Sequence, residues 1–201
     1  MTPPPVFKSV FGDAWDTLPP VMRKHYANRP YTNDCVTLEG ALDVMCAGPI
    51  KALWWLFILM NSVPPFNEST VPTTVNFRSD RNTQGVHFNR VFHFKNRKPY
   101  GFRSYVLQIR GDDVMESSGF GIGWRMRYVW EDGKVVLKHH GYAMKVLSHY
   151  IPLPLEALLG RGYAEEIPVD DDTFDMCMNL THPRWGKIYE YKGRFRVTKE
   201  A

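Results

Sequence analysis

The 201-residue chain is 44% hydrophobic and 23% charged, a balance that excludes disordered and fibrous classes and suits one domain of ordinary size. Its 25 basic and 21 acidic residues are scattered without a long run of one sign, so the net charge of +4 gives no argument for nucleic-acid binding. Cys35, Cys46 and Cys177 lack CxxC spacing and define neither a disulfide framework nor a zinc cluster; with no basic, apolar leader in Met1–Phe7, a reducing cytoplasmic setting is expected.

The first predicted element is a short helix within Thr17–Tyr26, where Pro19 and Pro20 suit a first turn and Arg23, Lys24 and His25 a last one. Val36–Val44 reads as a strand, weakened by Gly40. Gly48-Pro49 then opens a second helix, with an apolar centre at Ala52–Met60, which Val63-Pro64-Pro65 must stop. The apolar run is well short of the roughly 20 residues that span a bilayer. Beyond Lys51 it has no basic flank, so it is expected to be buried against a sheet, with a membrane-surface anchor as the alternative.

From Val71 onward the apolar period changes to two. Strands are predicted over Thr73–Arg78, Gly85–Phe94, Tyr100–Arg110, Val114–Trp130, Lys134–Leu147, Thr173–Thr181 and Lys187–Val197. Glu131-Asp132-Gly133-Lys134 reads as a hairpin turn, and a short helix within Leu153–Leu159 ends at Gly160. Short connections favour antiparallel pairing. The pattern predicts an α+β fold: a strongly curved antiparallel β-sheet or barrel-like cup packed around one very apolar helix, with short additional helices. It is expected as a single domain over residues 1–201, with a helical part at 9–66 and an antiparallel β part at 71–198. Barrels and cups of this size have room for one small ligand.

Two charges break the pattern. In a strand, Arg90 shares a face with Phe88, Phe92 and Phe94, and Glu116 shares one with Val114, Phe120, Ile122 and Trp124. An isolated ion in an apolar layer costs at least several kcal/mol, so each charge needs a partner, a ligand or a water-filled cavity. Phe102-Arg103-Ser104 falls on the strand between the two. Glu116 and at least one of Arg90 and Arg103 are therefore expected to line a common buried polar spot in an aromatic cavity. The candidate ligand-binding residues are Arg90, Arg103, Glu116, Phe88, Phe92, Phe102 and Trp124. Structural pairing of Glu116 with an arginine is the plainer alternative, and Glu116 is the candidate acid or base if the site is catalytic.

Other motifs carry less. Gly119, Gly121 and Gly123 form no nucleotide fingerprint, since no strand-turn precedes them and no helix follows; they would let a sheet bend, a helix pack or a ligand approach. His87 and His93 lie six residues apart, roughly 20 Å along a strand at about 3.3 Å per residue. His139 and His140 face opposite ways. No metal and no cofactor are therefore expected. GxSxG, GxxxxGK[ST] and HExxH are all absent.

Separated signatures do occur in order: Phe88-Asn89-Arg90-Val91-Phe92, Phe102-Arg103-Ser104, Glu116 with Gly119, Ile151-Pro152-Leu153-Pro154, Glu165, and Pro183-Arg184-Trp185-Gly186-Lys187-Ile188-Tyr189-Glu190-Tyr191-Lys192-Gly193. In this order, from about Phe11 to Phe195, the chain resembles the bacterial family known as domain of unknown function 4166. Phe88 stands where other members tend to have Trp. The resemblance implies a soluble bacterial domain, sometimes attached to a saccharopine-dehydrogenase-like reductase, and supplies no catalytic residues.

The leading functional expectation is a cytoplasmic binding protein for an apolar small molecule or lipid. The alternatives are a cofactor-free isomerase, cyclase or hydrolase using Glu116, and an interaction module that pairs as a homodimer or docks on a reductase.

Overall fold

In the computed structural model, which describes residues 3–59, 62–147 and 149–201, the period-two segments join into one antiparallel sheet. Its strands are β1 (Cys35–Cys46), β2 (Glu68–Ser79), β3 (Val86–Phe92), β4 (Tyr100–Arg110), β5 (Asp113–Ser117), β6 (Ile122–Glu131), β7 (Lys134–Val146), β8 (His149–Leu153), β9 (Arg161–Pro168), β10 (Thr173–His182) and β11 (Gly186–Lys199). The order is β6-β5-β4-β3-β2-β1-β11-β10-β9-β7-β8, and pairing of β6 with β7 closes it into a barrel. The first half of β7 pairs with β9 and its second half with β8, so β8 is a flap on the ring. Closure leaves the ring strands with no free edge.

The alternation is the physical cause of the closure. Val86, Phe88, Arg90 and Phe92 of β3 are buried while His87, Asn89 and Val91 between them are partly exposed; Phe174, Met178 and Leu180 do the same on β10. Between β6 and β7, Asp132 and Gly133 take positive φ (49° and 72°), the tight two-residue turn predicted there.

The short helices are α1 (Val6–Phe11), α2 (Pro20–His25), α3 (Gly48–Ala52), α4 (Trp54–Leu59) and α5 (Glu156–Leu159). The first two plug one end of the barrel. Phe7 packs its ring 4.6 Å from Tyr26 and 5.2 Å from Tyr128, and Phe11, Trp15, Val21 and Met22 are buried beside it. Ser9 to Gln108, Lys24 to Asp172 and the Tyr31 amide to the Thr83 carbonyl fasten this segment to the loops at that end.

Two expectations are corrected, and two strands are added. The apolar run at Ala52–Met60 does not fill the sheet. Its described part crosses the opposite, open end as α3 and α4, with Phe57 buried but Trp54, Trp55 and Leu59 exposed by 52%, 54% and 64%; Met60 lies outside the described residues. A helix this short, laid over an opening, has only one face to bury, and the far end of the interior is taken by strand side chains and the N-terminal plug. The predicted strand Val114–Trp130 is two strands joined by a tight turn at Gly119–Gly121, with Phe120 at φ 62° and exposed by 75%. β8 and β9 were not predicted, whereas β1 contains the predicted strand Val36–Val44. No helix is long and apolar enough to cross a membrane among the described residues.

Candidate functional site

Neighbouring strands β3, β4 and β5 bring three inward side chains together. Phe88 pairs with Ser104, Arg90 with Phe102, and Val106 with Glu116, which makes Ser104 the diagonal neighbour of both charged residues. Arg90 Nη2 lies 2.8 Å from Glu116 Oε1, and Arg90 Nη1 donates to Ser104 Oγ at 2.9 Å. Ser104 Oγ in turn donates to Glu116 Oε1 at 2.5 Å. One hydroxyl thus bridges cation and anion. The rings of Phe88 and Phe102 have centroids 5.2 and 4.6 Å from the guanidinium carbon, where their faces attract it. Burial opposes the charge on Arg90, but Glu116 and the neighbouring Tyr191 outweigh it and hold its pKa above the ordinary arginine value.

Arg103 does not join them. It alternates with Phe102 and Ser104, and is exposed on the outer face beside Asn89, His87 and Asp80. Ser104, which the sequence reading passed over, takes the interior position instead. Phe88, Phe92, Phe102 and Trp124 all face inward.

At the open end, beneath α4 and α5, lies an apolar cavity of about 220 Å³, walled by Phe57, Phe102, Ile122, Trp124, Leu158 and Leu180. Ser104, Glu116 and Tyr191 supply polar atoms to it. Deeper, towards the plug, only about 40 Å³ remains, bounded by Arg90, Phe88, Phe92, Tyr128 and Glu166. Glu116, Trp124, Met178 and Tyr191 line both spaces, so the polar spot forms the floor of the outer cavity. Burial pushes the Tyr191 phenol up to about 12. Wider depressions on the outer surface, such as that around Lys51, Phe66, Lys95 and Arg97, are open to solvent.

A second buried cluster sits at the plugged end. The Tyr26 hydroxyl donates to Glu166 Oε2 at 2.6 Å, and His25 Nε2 lies 3.5 Å from Oε1. Burial, reinforced by Glu166, raises the Tyr26 pKa well above its usual value, and burial with Glu116 and Glu166 does the same to Tyr128. Glu166 was missed because its inward neighbours on β9 are Gly162 and Ala164, which give no apolar stripe for a charge to interrupt. The remaining signal was parity alone.

Trp124 is held by specific neighbours. Its indole N–H donates to His139 Nδ1 at 2.8 Å, and the Gly162 amide donates to the same nitrogen at 3.2 Å. With Nδ1 accepting, the His139 proton resides on Nε2, which faces Glu156 Oε1 at 2.9 Å. A Cβ on Gly162 would stand 2.7 Å from the indole, and one on Gly123 would stand 2.4 Å from the Glu116 carbonyl oxygen. The glycine-rich stretch therefore lets β5 and β6 meet closely where Glu116 is held. No group of three or more His, Cys, Asp or Glu is placed to hold a metal ion among the described residues.

Fold and site together define a closed antiparallel barrel, plugged at one end, with an ion-paired polar floor beneath an apolar mouth. The family model Domain of unknown function (DUF4166) matches residues 18–195, and the chain belongs to that family. No curated protein matches it. Among solved structures it is similar to Rv2717c from M. tuberculosis, at 10% identity and a TM-score of 0.44 over 94% of this chain and 99% of that one. It is also similar to a protein assigned as a thioesterase II from Thermobifida fusca (8% identity, TM-score 0.25, 82% of this chain and 79% of that one). The dehydratase domain of the polyketide PpsC from Mycobacterium tuberculosis matches at 7% identity and a TM-score of 0.20, over 94% and 84% of the two chains.

Proposed function

We propose that this protein binds a small apolar molecule through the barrel mouth, with Ser104 and Glu116 holding its polar head and Arg90 balancing the carboxylate from behind. The observation that carries this reading is the apolar cavity of about 220 Å³ whose floor is the Arg90–Ser104–Glu116 cluster. Apolar walls provide affinity and a few convergent polar groups fix orientation, the usual division of labour in ligand sites. The volume is below the roughly 300–1,000 Å³ of sites for drug-sized ligands. It suits a compact molecule, or one end of a lipid whose chain leaves through the mouth.

The chemistry of the floor selects the head group. Arg90 bounds the deeper space, whereas Glu116 reaches the outer cavity, so the incoming group meets an acceptor first. A hydroxyl, amide or ammonium fits that floor. A free carboxylate would meet Glu116 charge to charge in a poorly solvated space.

The test is native mass spectrometry of full chain purified without detergent. A retained small molecule bearing a hydrogen-bond donor is expected, and its loss from Ser104→Ala would tie it to the floor. Protein that is empty, and stays empty after exposure to cell lipid extract, would contradict the reading. The position of Glu116 on the floor of the apolar cavity also favours a second reading, a cofactor-free isomerase, cyclase or hydrolase in which Glu116 exchanges a proton with its substrate. Chemical change of the retained molecule on incubation would distinguish it.

A further inference from the structure

We propose that the mouth of the barrel is a docking surface for an anionic lipid bilayer. The inference rests on the outside of the molecule and stands whatever the cavity holds. The connections at the open end are α3–α4, the loop after β3, the Gly119–Gly121 turn, the end of β7 with β8, α5, and the turn between β10 and β11. They carry Trp54, Trp55, Leu59, Phe120, Leu147 and Trp185, all more than half exposed, with Leu147 at 89%. Of the large exposed apolar side chains among the described residues, only Tyr31, Ile167 and Val169 lie away from this rim. Such clustering marks an interaction surface rather than the scatter found on any soluble protein.

The charge around the rim identifies the occupant. Lys51 on α3 and Lys95, Arg97 and Lys98 in the loop after β3 are exposed, and Lys51, Lys95 and Arg97 line one surface depression with Phe66; Lys145 lies two residues before Leu147, and Arg184 precedes Trp185. The cations just named outnumber the acids Glu68, Glu156 and Glu190 at this end: Glu68 accepts the Lys95 amide, Glu156 lies beside Arg161 and the neutral His139 ring, and Glu190 is paired with Lys187 and Lys192. A second copy docking face to face would oppose each cation to the same patch of its partner, with mutual repulsion. An anionic headgroup layer meets them with the opposite sign. Tryptophan side chains favour the boundary between headgroups and acyl chains, and exposed Leu and Phe side chains can sit just below it. The face so docked is the one through which the cavity opens.

The experiment is co-sedimentation of the full chain with phosphatidylcholine vesicles, with and without phosphatidylglycerol, at low and high salt. Binding is expected to the anionic vesicles, weakening as salt rises, with a blue shift of tryptophan emission. Trp54→Ser combined with Leu147→Ser should reduce binding by about tenfold or more, and so should Lys95→Gln with Lys98→Gln. All four positions are exposed, so the fold should survive, as a circular dichroism melt would verify; Ile167→Ser at the far end should leave binding unchanged. No binding to anionic vesicles, or equal binding by wild type and rim variants, would overturn the proposal. So would a concentration-dependent dimer that the rim variants abolish, which would assign the surface to a second copy.

Discussion

Arg90 and Glu116 are partners of each other as well as candidate ligand residues, and the two roles separate under mutation. Glu116→Gln leaves a buried guanidinium without its anion and is expected to cost about 3 kcal/mol in urea denaturation. Arg90→Met with Glu116→Leu, which removes both charges, should recover most of that loss, because an apolar pair of similar size has no desolvation penalty to offset. A double variant as unstable as Glu116→Gln would show that the interior needs the ions for more than charge balance. His139 supplies a second test. Burial holds its pKa below 6.5, against a weaker opposing effect of Glu156, and a second proton would have to displace the Trp124 and Gly162 donors from Nδ1. Because the folded value lies below the unfolded one, this group's contribution to stability is complete above about pH 6.5. It is lost as pH falls through that value towards the folded pKa. A ring titration followed by NMR should place His139 below 6.5, and a value above it would contradict the tautomer argument. Arg90 was legible in the sequence because it interrupts an apolar alternation. Glu116 was reached through a strand that does not run on, since Phe120 lies on an exposed turn and Trp124 faces Glu116 from the neighbouring strand β6 instead. Ser104 was not legible, since a serine in a strand interrupts nothing, and Glu166 had only glycine and alanine for company.

At the scale of elements, strands with clean alternation and recognisable turns were legible: β3, β4, β7, β10 and the Asp132-Gly133 turn lie close to where the period places them. β9 was hidden by the same small residues that hid Glu166. The helices misled for a different reason. Hydrophobicity reports that a segment avoids water but not what it avoids water with, and the apolar run of α4 was assigned to the core when its outer side is exposed. The weaker-looking N-terminal segment fills the barrel end instead. Phe7→Ala should therefore cost about 3–5 kcal/mol by leaving a hole between Tyr26 and Tyr128. Trp54→Ala should change stability by no more than about 0.5 kcal/mol. Equal losses at the two positions in a urea titration would reverse the roles given to the two helical segments.

For the whole molecule, closure of the sheet makes an inside, the N-terminal plug blocks one way out of it, and α4 and α5 narrow the other. The proposed function rests on what remains open: an apolar space of about 220 Å³ above a floor to which Ser104, Glu116 and Tyr191 supply polar atoms. The most direct measurement is calorimetric titration of the full chain with decan-1-ol, decylamine and decanoate, three probes that share a chain and differ in the head. The account predicts binding of the alcohol and the amine, with affinity at least about tenfold above that of the carboxylate, and a loss of about 1 kcal/mol of that affinity in Ser104→Ala. Tighter binding of decanoate than of the alcohol, unaffected by Ser104→Ala, would contradict it.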